Sequence, residues 1–228
     1  VQFLLTNDDG IDAPGLLALE EALRGLGESV ILAPDQHLSG CSHQATTQRP
    51  LTLTHLKDNR YCLDGTPVDC TRVGLAHLVP DCEWVIAGIN AGGNLGADVY
   101  HSGTVAAARE GALMARRAIA VSQYVRREFP VDWQQSAAWT ARVVRNLVEL
   151  YPEPGALWNV NLPHLAPGSP LPEVVFCQLD PHPLPVEFRV EGNELHYCGR
   201  YHQRPREVGR DVERCFSGYV TVTQLLLD

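Results

Sequence analysis

An α/β fold with a mostly parallel sheet and helices on both faces is predicted by two observations. Short apolar runs alternate with stretches of helical periodicity through the first 163 residues. Each run also ends in a polar or glycine-rich cluster, so the chain reads as successive strand–helix–strand units with loops at the strand ends.

The elements follow in order. Residues 2–6 (QFLLT) are a buried strand closed by the loop signal Asn7-Asp8-Asp9-Gly10. From Pro14, apolar Leu16, Leu19, Leu23 and Leu26 recur every three or four residues, a helix with proline in its first turn that Gly25 and Gly27 stop. Residues 29–33 (SVILA) are the next strand, and the polar loop containing Ser39-Gly40-Cys41-Ser42 follows. Residues 84–88 (WVIAG) form a strand that runs into Gly88-Ile89-Asn90-Ala91-Gly92-Gly93-Asn94-Leu95-Gly96. Ser102-Gly103-Thr104 opens an alanine-rich helix over 104–116. A strand at 118–123, a helix over 132–150 with Ala138, Val143, Val144, Leu147 and Leu150 on its face, and a strand at 157–161 complete the series. Beyond about 163 the chain turns proline-rich, then forms a hairpin around Gly192-Asn193 and a last strand from Tyr219 to Leu226. We therefore expect one domain over 1–228, with a core over 1–163 and a hairpin appendage and return segment over 164–228.

Composition narrows the function. With 18 Lys and Arg against 27 Asp and Glu, the formal charge of −9 disfavours binding to a nucleic acid duplex. No apolar run approaches the roughly 20 residues of a membrane span, and the first residues read as a strand and not a leader, so a cytoplasmic, membrane-free protein is expected. The seven cysteines are scattered without a CxxC pair, which suits buried thiols in a reducing compartment. Lys57 is the single lysine, and there is no GxxxxGK[ST] phosphate loop.

In open α/β sheets, ligands bind beyond the carboxyl ends of the strands. The polar clusters stand at those ends: Asp8 and Asp9 after the first strand, Ser39-Gly40 after the second, Asn90 to Gly96 after a middle one. Adjacent carboxylates repel unless a cation sits between them, and Asp, Ser and Asn oxygens are what a hard divalent cation takes. The Asn/Gly loop and the helix start at Ser102-Gly103-Thr104 offer N–H groups and hydroxyls to an anion. A cation beside an anion site points to phosphoester hydrolysis. Taken singly, each cluster also reads blandly: Asp-Asp-Gly as a turn, Ser39-Gly40 as a loop, Ser102 as a helix cap. Their convergence on one rim favours the chemical reading.

The strings LLTNDDGIDAPG, APDQHLSGCS, DGTPVDC, AGINAGGNLGADVYHSGTVAAAREG and WNVNLP resemble those of the SurE family, stationary-phase survival proteins acting as metal-dependent 5′/3′-nucleotidases. The resemblance runs from residue 2 to about 163 and resumes at GRDVERCFSGYVTVTQL. It implies a Rossmann-like three-layer core with one divalent cation, Mg²⁺ or Mn²⁺, held by Asp8, Asp9, Ser39 and Asn90. It implies that Asn94, Ser102, Gly103 and Thr104 contact the phosphate of a nucleoside monophosphate, with Asp8, Asp9 and Asn94 catalytic. It further implies a homodimer or homotetramer built partly through a hairpin at 186–198. The chain departs from the family in having Gly93 where proline is frequent, and in a short segment at 179–191. Two other classes stay open at this stage: a signalling receiver with Asp35 as phosphoacceptor, and a nucleotide-binding scaffold without turnover.

Overall fold

The computed structural model describes residues 1–228 except 127, 129, 151–154 and 228. Six parallel strands form the heart of the sheet: β1 (Gln2–Thr6), β2 (Glu28–Pro34), β4 (Arg60–Leu63), β5 (Trp84–Asn90), β6 (Arg117–Gln123) and β7 (Ala156–Leu162). Beside β4 lies antiparallel β3 (Leu53–Lys57). Beside β7 lies antiparallel β11 (Val220–Leu226), which pairs in turn with β8 (Val174–Phe176). The full order is β3-β4-β2-β1-β5-β6-β7-β11-β8. From β1 the chain first builds outward through β2 and β4, then restarts on the other side at β5. The sheet is thus doubly wound, and its switch point lies between the carboxyl ends of β1 and β5.

Strand residues alternate between two cores, as the two-residue period demands. Phe3, Leu5, Ile31, Trp84 and Ile86 face α1 (Pro14–Leu23) and α4 (Trp133–Leu147). Leu4, Leu32, Val85 and Ala87 face α2 (Pro67–Val73) and α3 (Gly103–Leu113). The predicted mostly parallel sheet between two helical layers is therefore the observed one. At Gly15 a side chain is excluded outright, since a Cβ there would lie 1.9 Å from the Ile89 carbonyl oxygen. Helix α1 consequently docks directly on the end of β5.

Several details differ from expectation. Helix α4 buries Ala137, Trp139 and Thr140 beside Val143, Val144 and Leu147, while Ala138 and Leu150 are exposed. The bulk of Trp139 sets the rotation of this helix, which the smaller alanines cannot. Helix α3 stops at Leu113, three residues short of 116, where Ala115 takes a left-handed φ of 58°. The hairpin β3–β4 and the helix α2 went unread in the sequence. Helix α2 has a signal: Thr66 and Asp69 form a reciprocal capping box around Pro67.

After β8, the hairpin β9 (Phe188–Glu191) and β10 (Glu194–Tyr197) pairs only with itself, and α5 (Asp211–Phe216) leads back into β11. No helix among the described residues is long and apolar enough to cross a membrane.

Candidate active site at the strand switch point

The site begins with the turn after β1. Buried Asn7 closes it, its amide donating to the Gly10 carbonyl at 2.9 Å while its Oδ1 accepts the Gly10 N–H at 3.1 Å. Asp8 and Asp9 are thereby held at the apex. Asp8 is buried and accepts a hydrogen bond from the Thr104 hydroxyl. Asp9 is half-buried; its Oδ2 accepts the Ala91 N–H at 3.1 Å and its Oδ1 lies 3.1 Å from His37 Nδ1. Burial, reinforced by the Asp9 charge and opposed by the Thr104 hydrogen bond, pushes the Asp8 carboxyl up to about 6.

The loop after β2 is drawn against this turn. The Leu38 N–H donates to the Asp8 carbonyl at 2.8 Å, which brings the neighbouring Ser39 to the same rim. Ser42 anchors the far end of the loop, its N–H on the His101 carbonyl at 3.2 Å and its hydroxyl on the Tyr100 carbonyl at 2.8 Å. His43 then pairs with Glu110 at 2.7 Å, and Arg72 Nε donates to the other oxygen of Glu110 at 2.6 Å. Glu110 is nearly inaccessible, so a buried carboxylate ties the loop, α2 and α3 together.

The third component runs from Asn90 to Thr104. The Asn90 amide nitrogen donates to the Gly92 carbonyl at 2.8 Å, leaving its Oδ1 as an acceptor. Asn94 is clamped through its backbone: its N–H donates to Asn161 Oδ1 at 2.7 Å, and its carbonyl accepts from Asn159 at 2.8 Å and Asn161 at 3.1 Å. Its side-chain amide donates to Ser122 Oγ at 2.7 Å. Ser102 caps α3 by accepting the Val105 N–H at 3.0 Å. At this helix start the Thr104 N–H faces the Asp8 carboxylate, and with Gly103 it forms the first turn of α3, where a helix presents N–H groups to negative charge. Gly103 leaves no room for a side chain: a Cβ would stand 2.8 Å from Cys41 Sγ and 2.9 Å from Asp8 Cβ.

The structure thus brings Asp8, Asp9, Asn90, Gly103 and Thr104 together, with Ser39 on the adjoining loop. Asn94 and Ser102 flank them with side chains already engaged. Thr104 is spent on Asp8. Asn159 and Asn161 are the residues missed from sequence, although two asparagines at i and i+2 on a wholly buried strand must face one side and find partners there. Asp35, the phosphoacceptor of the receiver reading, is exposed.

Among the described residues no group of three or more His, Cys, Asp and Glu is arranged for a metal ion. Two carboxylates, a hydroxyl and an amide oxygen remain, an all-oxygen donor set that fits a hard divalent cation. Burial first, and the Asp9 charge with it, raise Asp8, and a bound cation would offset both.

Fold and site together define a doubly wound α/β protein with an oxygen-rich cluster beside a helix N-terminus at the switch point. The family model described as Survival protein SurE matches residues 3–181, and the chain belongs to the SurE family. It is 49% identical over 99% of both chains to a Synechocystis protein named "Putative 5'-nucleotidase alr3139". It is 37% identical to 5′-nucleotidase SurE 1 of Thermus thermophilus, covering 100% of this chain and 92% of that one. The crystal structure of the SurE protein from Aquifex aeolicus superposes with a TM-score of 0.89 at 32% identity, covering 100% of this chain and 94% of the other.

Proposed function

We propose that this SurE-family nucleotidase is a metal-dependent phosphomonoesterase that hydrolyses nucleoside monophosphates to nucleoside and phosphate. The names of its relatives support the substrate class. The observation that carries the metal-dependent chemistry is the pair Asp8–Asp9 beside the N-terminus of α3, which this reading takes as a cation site adjoining an anion site.

Asp8, Asp9, Ser39 and Asn90 would hold one Mg²⁺ or Mn²⁺. When bound, the cation polarises a phosphoryl oxygen and acidifies a water molecule. Asp8 accepts the proton of the attacking water at Oδ2, while the Thr104 hydroxyl on Oδ1 fixes the orientation of the carboxylate. As the water oxygen bonds to phosphorus, the ester P–O bond breaks and the departing nucleoside oxygen takes up a proton from solvent, while Asp8 later returns its own to solvent. Negative charge on the equatorial oxygens is met by the start of α3 at Gly103 and Thr104 and by the loop that Asn94 and Ser102 shape. The same reading makes the chain a homodimer or homotetramer with the β9–β10 hairpin in its contact.

Substitution of Asp9 separates this reading from the bland one. In metal-stripped protein titrated with Mn²⁺ and followed by electron paramagnetic resonance, Asp9→Asn is expected to lose both cation binding and phosphate release while retaining the native circular dichroism. Normal turnover in this variant would refute the mechanism.

A further inference from the structure

The Asn/Gly loop after β5 spends the backbone donors of its second half internally. The Asn94 N–H goes to Asn161 Oδ1 at 2.7 Å, the Leu95 N–H to Asp98 Oδ2 at 3.1 Å and the Gly96 N–H to Asp211 Oδ2 at 2.7 Å. Residues 94–96 therefore keep no backbone donor for a phosphate, and what they can offer is the Asn94 side chain. One hydrogen of its amide nitrogen is on Ser122 Oγ at 2.7 Å, and the second has no partner among the described residues.

Asn94 itself is held from two neighbouring strands. Trp158, Val160 and Leu162 of β7 join the core under α1 and α4, so the two-residue period turns Asn159 and Asn161 to the opposite face, where Leu157 joins the core under α2 and α3. Asn161 grips the Asn94 backbone on both sides, accepting its N–H and donating to its carbonyl at 3.1 Å. Asn159 donates a second hydrogen bond to that carbonyl at 2.8 Å. Ser122 of β6 stands beside Asn161 in the strand register. The arrangement is costly at one atom. Asn159 is wholly buried, and its Oδ1 has no hydrogen-bond partner among the described residues. A leucine of nearly the same shape would bury no orphan acceptor there, so the fold alone does not call for an amide at 159.

We infer that Asn159, Asn161 and Ser122 are positioning residues for phosphoryl transfer, an inference that rests on the reading of this rim as a nucleotidase site. They act through Asn94, fixing its backbone and side chain so that the free amide hydrogen faces an oxygen of the reacting phosphoryl group. A donor held in place beforehand favours the charge that builds in the transition state over the ground state. A donor that shifts by about 1 Å forfeits much of that gain. None of the three residues belongs to the proposed cation set of Asp8, Asp9, Ser39 and Asn90, so their loss leaves the cation held.

Asn159→Leu and Ser122→Ala test this in the Mg²⁺-loaded protein. Both are expected to lower kcat for a nucleoside monophosphate about tenfold to hundredfold, with KM held within about twofold. Calorimetry should find orthovanadate, a mimic of five-coordinate phosphorus, bound about tenfold more weakly, and inorganic phosphate bound as before. Asn159→Leu should keep or raise the melting temperature, whereas loss of a purely structural amide lowers it. Mn²⁺ affinity, read by electron paramagnetic resonance, should stay at the wild-type value in both. Native kcat in the folded variants, a rise in KM alone, equal weakening of vanadate and phosphate, or a parallel fall in Mn²⁺ affinity would overturn the proposal. An Asn159→Leu chain that does not fold would make that amide structural, and Ser122→Ala then decides for the rest of the clamp. If wild-type protein releases phosphate from no nucleotide, the nucleotidase reading fails on its own. Vanadate binding weakened in the variants then upholds the clamp, and equal or absent vanadate binding overturns it.

Discussion

Asp8 combines three demands at one residue: it is buried beside α3, it is adjacent to a second carboxylate, and the proposed role as ligand and base requires it ionised. Without a cation these conflict, and its carboxyl rises from the ordinary 3.8 to about 6. The folded chain therefore holds this proton more tightly than the unfolded chain does. The stability so gained is fully present below pH 3.8 and is lost as pH rises through about 6, amounting to about 3 kcal/mol. In chelator-treated protein, urea melts across pH 4 to 7 should show this loss, and Asp8→Asn should remove it while abolishing turnover. An equal pH dependence in the variant would place the titration elsewhere. The meeting of Asp8, Asp9 and Asn90 on one rim was legible because each stands at the carboxyl end of a strand of a parallel sheet, although each alone reads equally well as a turn residue. Asn159 and Asn161 were not, because nothing in their strand tells which buried loop they satisfy until β7 is known to lie beside β6.

At the scale of elements, the site is an agreement between loops that the helices enforce. The loop after β2 is held against Asp8 by the Leu38 N–H at one end, and at the other by Ser42 on residues 100 and 101 and His43 on Glu110 of α3. Glu110→Gln keeps the shape and removes the charge that Arg72 and His43 share. We expect a loss of about 1–2 kcal/mol, discounted because Arg72 and His43 are partly exposed, and faster hydrogen exchange at the Ser42 amide. Unchanged exchange would show that the loop holds itself. Parallel strands buried on both faces read easily as apolar runs, and β1, β2, β5, β6 and β7 were all found. The exposed edge β3 and the partly buried β4 carry mixed sequences that a search for apolar runs passes over, although Asp58-Asn59 marks their turn. Short β8 and α5 are set by tertiary contacts, such as Asp211 accepting three backbone N–H groups.

For the whole molecule, the β9–β10 hairpin stands outside the main sheet with Phe188, Val190, Leu195 and Tyr197 each more than half exposed. Two strands alone are marginal in water, and a cluster of apolar side chains on them implies a covering surface. Sedimentation should show a homodimer or homotetramer, shifted toward monomer by Phe188→Glu with Leu195→Glu; a wild-type monomer would contradict the oligomer reading. The hairpin springs from Asp180 on one side and Arg204 on the other, both set against Gly96 in the loop after β5. The most direct test of the central claim is phosphate release from 5′- and 3′-nucleoside monophosphates by metal-stripped protein, with and without Mg²⁺ or Mn²⁺. We expect release only with added cation, lost in Asp9→Asn. Equal release in the presence of chelator, or none with any cation from folded protein, would contradict a cation-dependent nucleotidase built on Asp8 and Asp9.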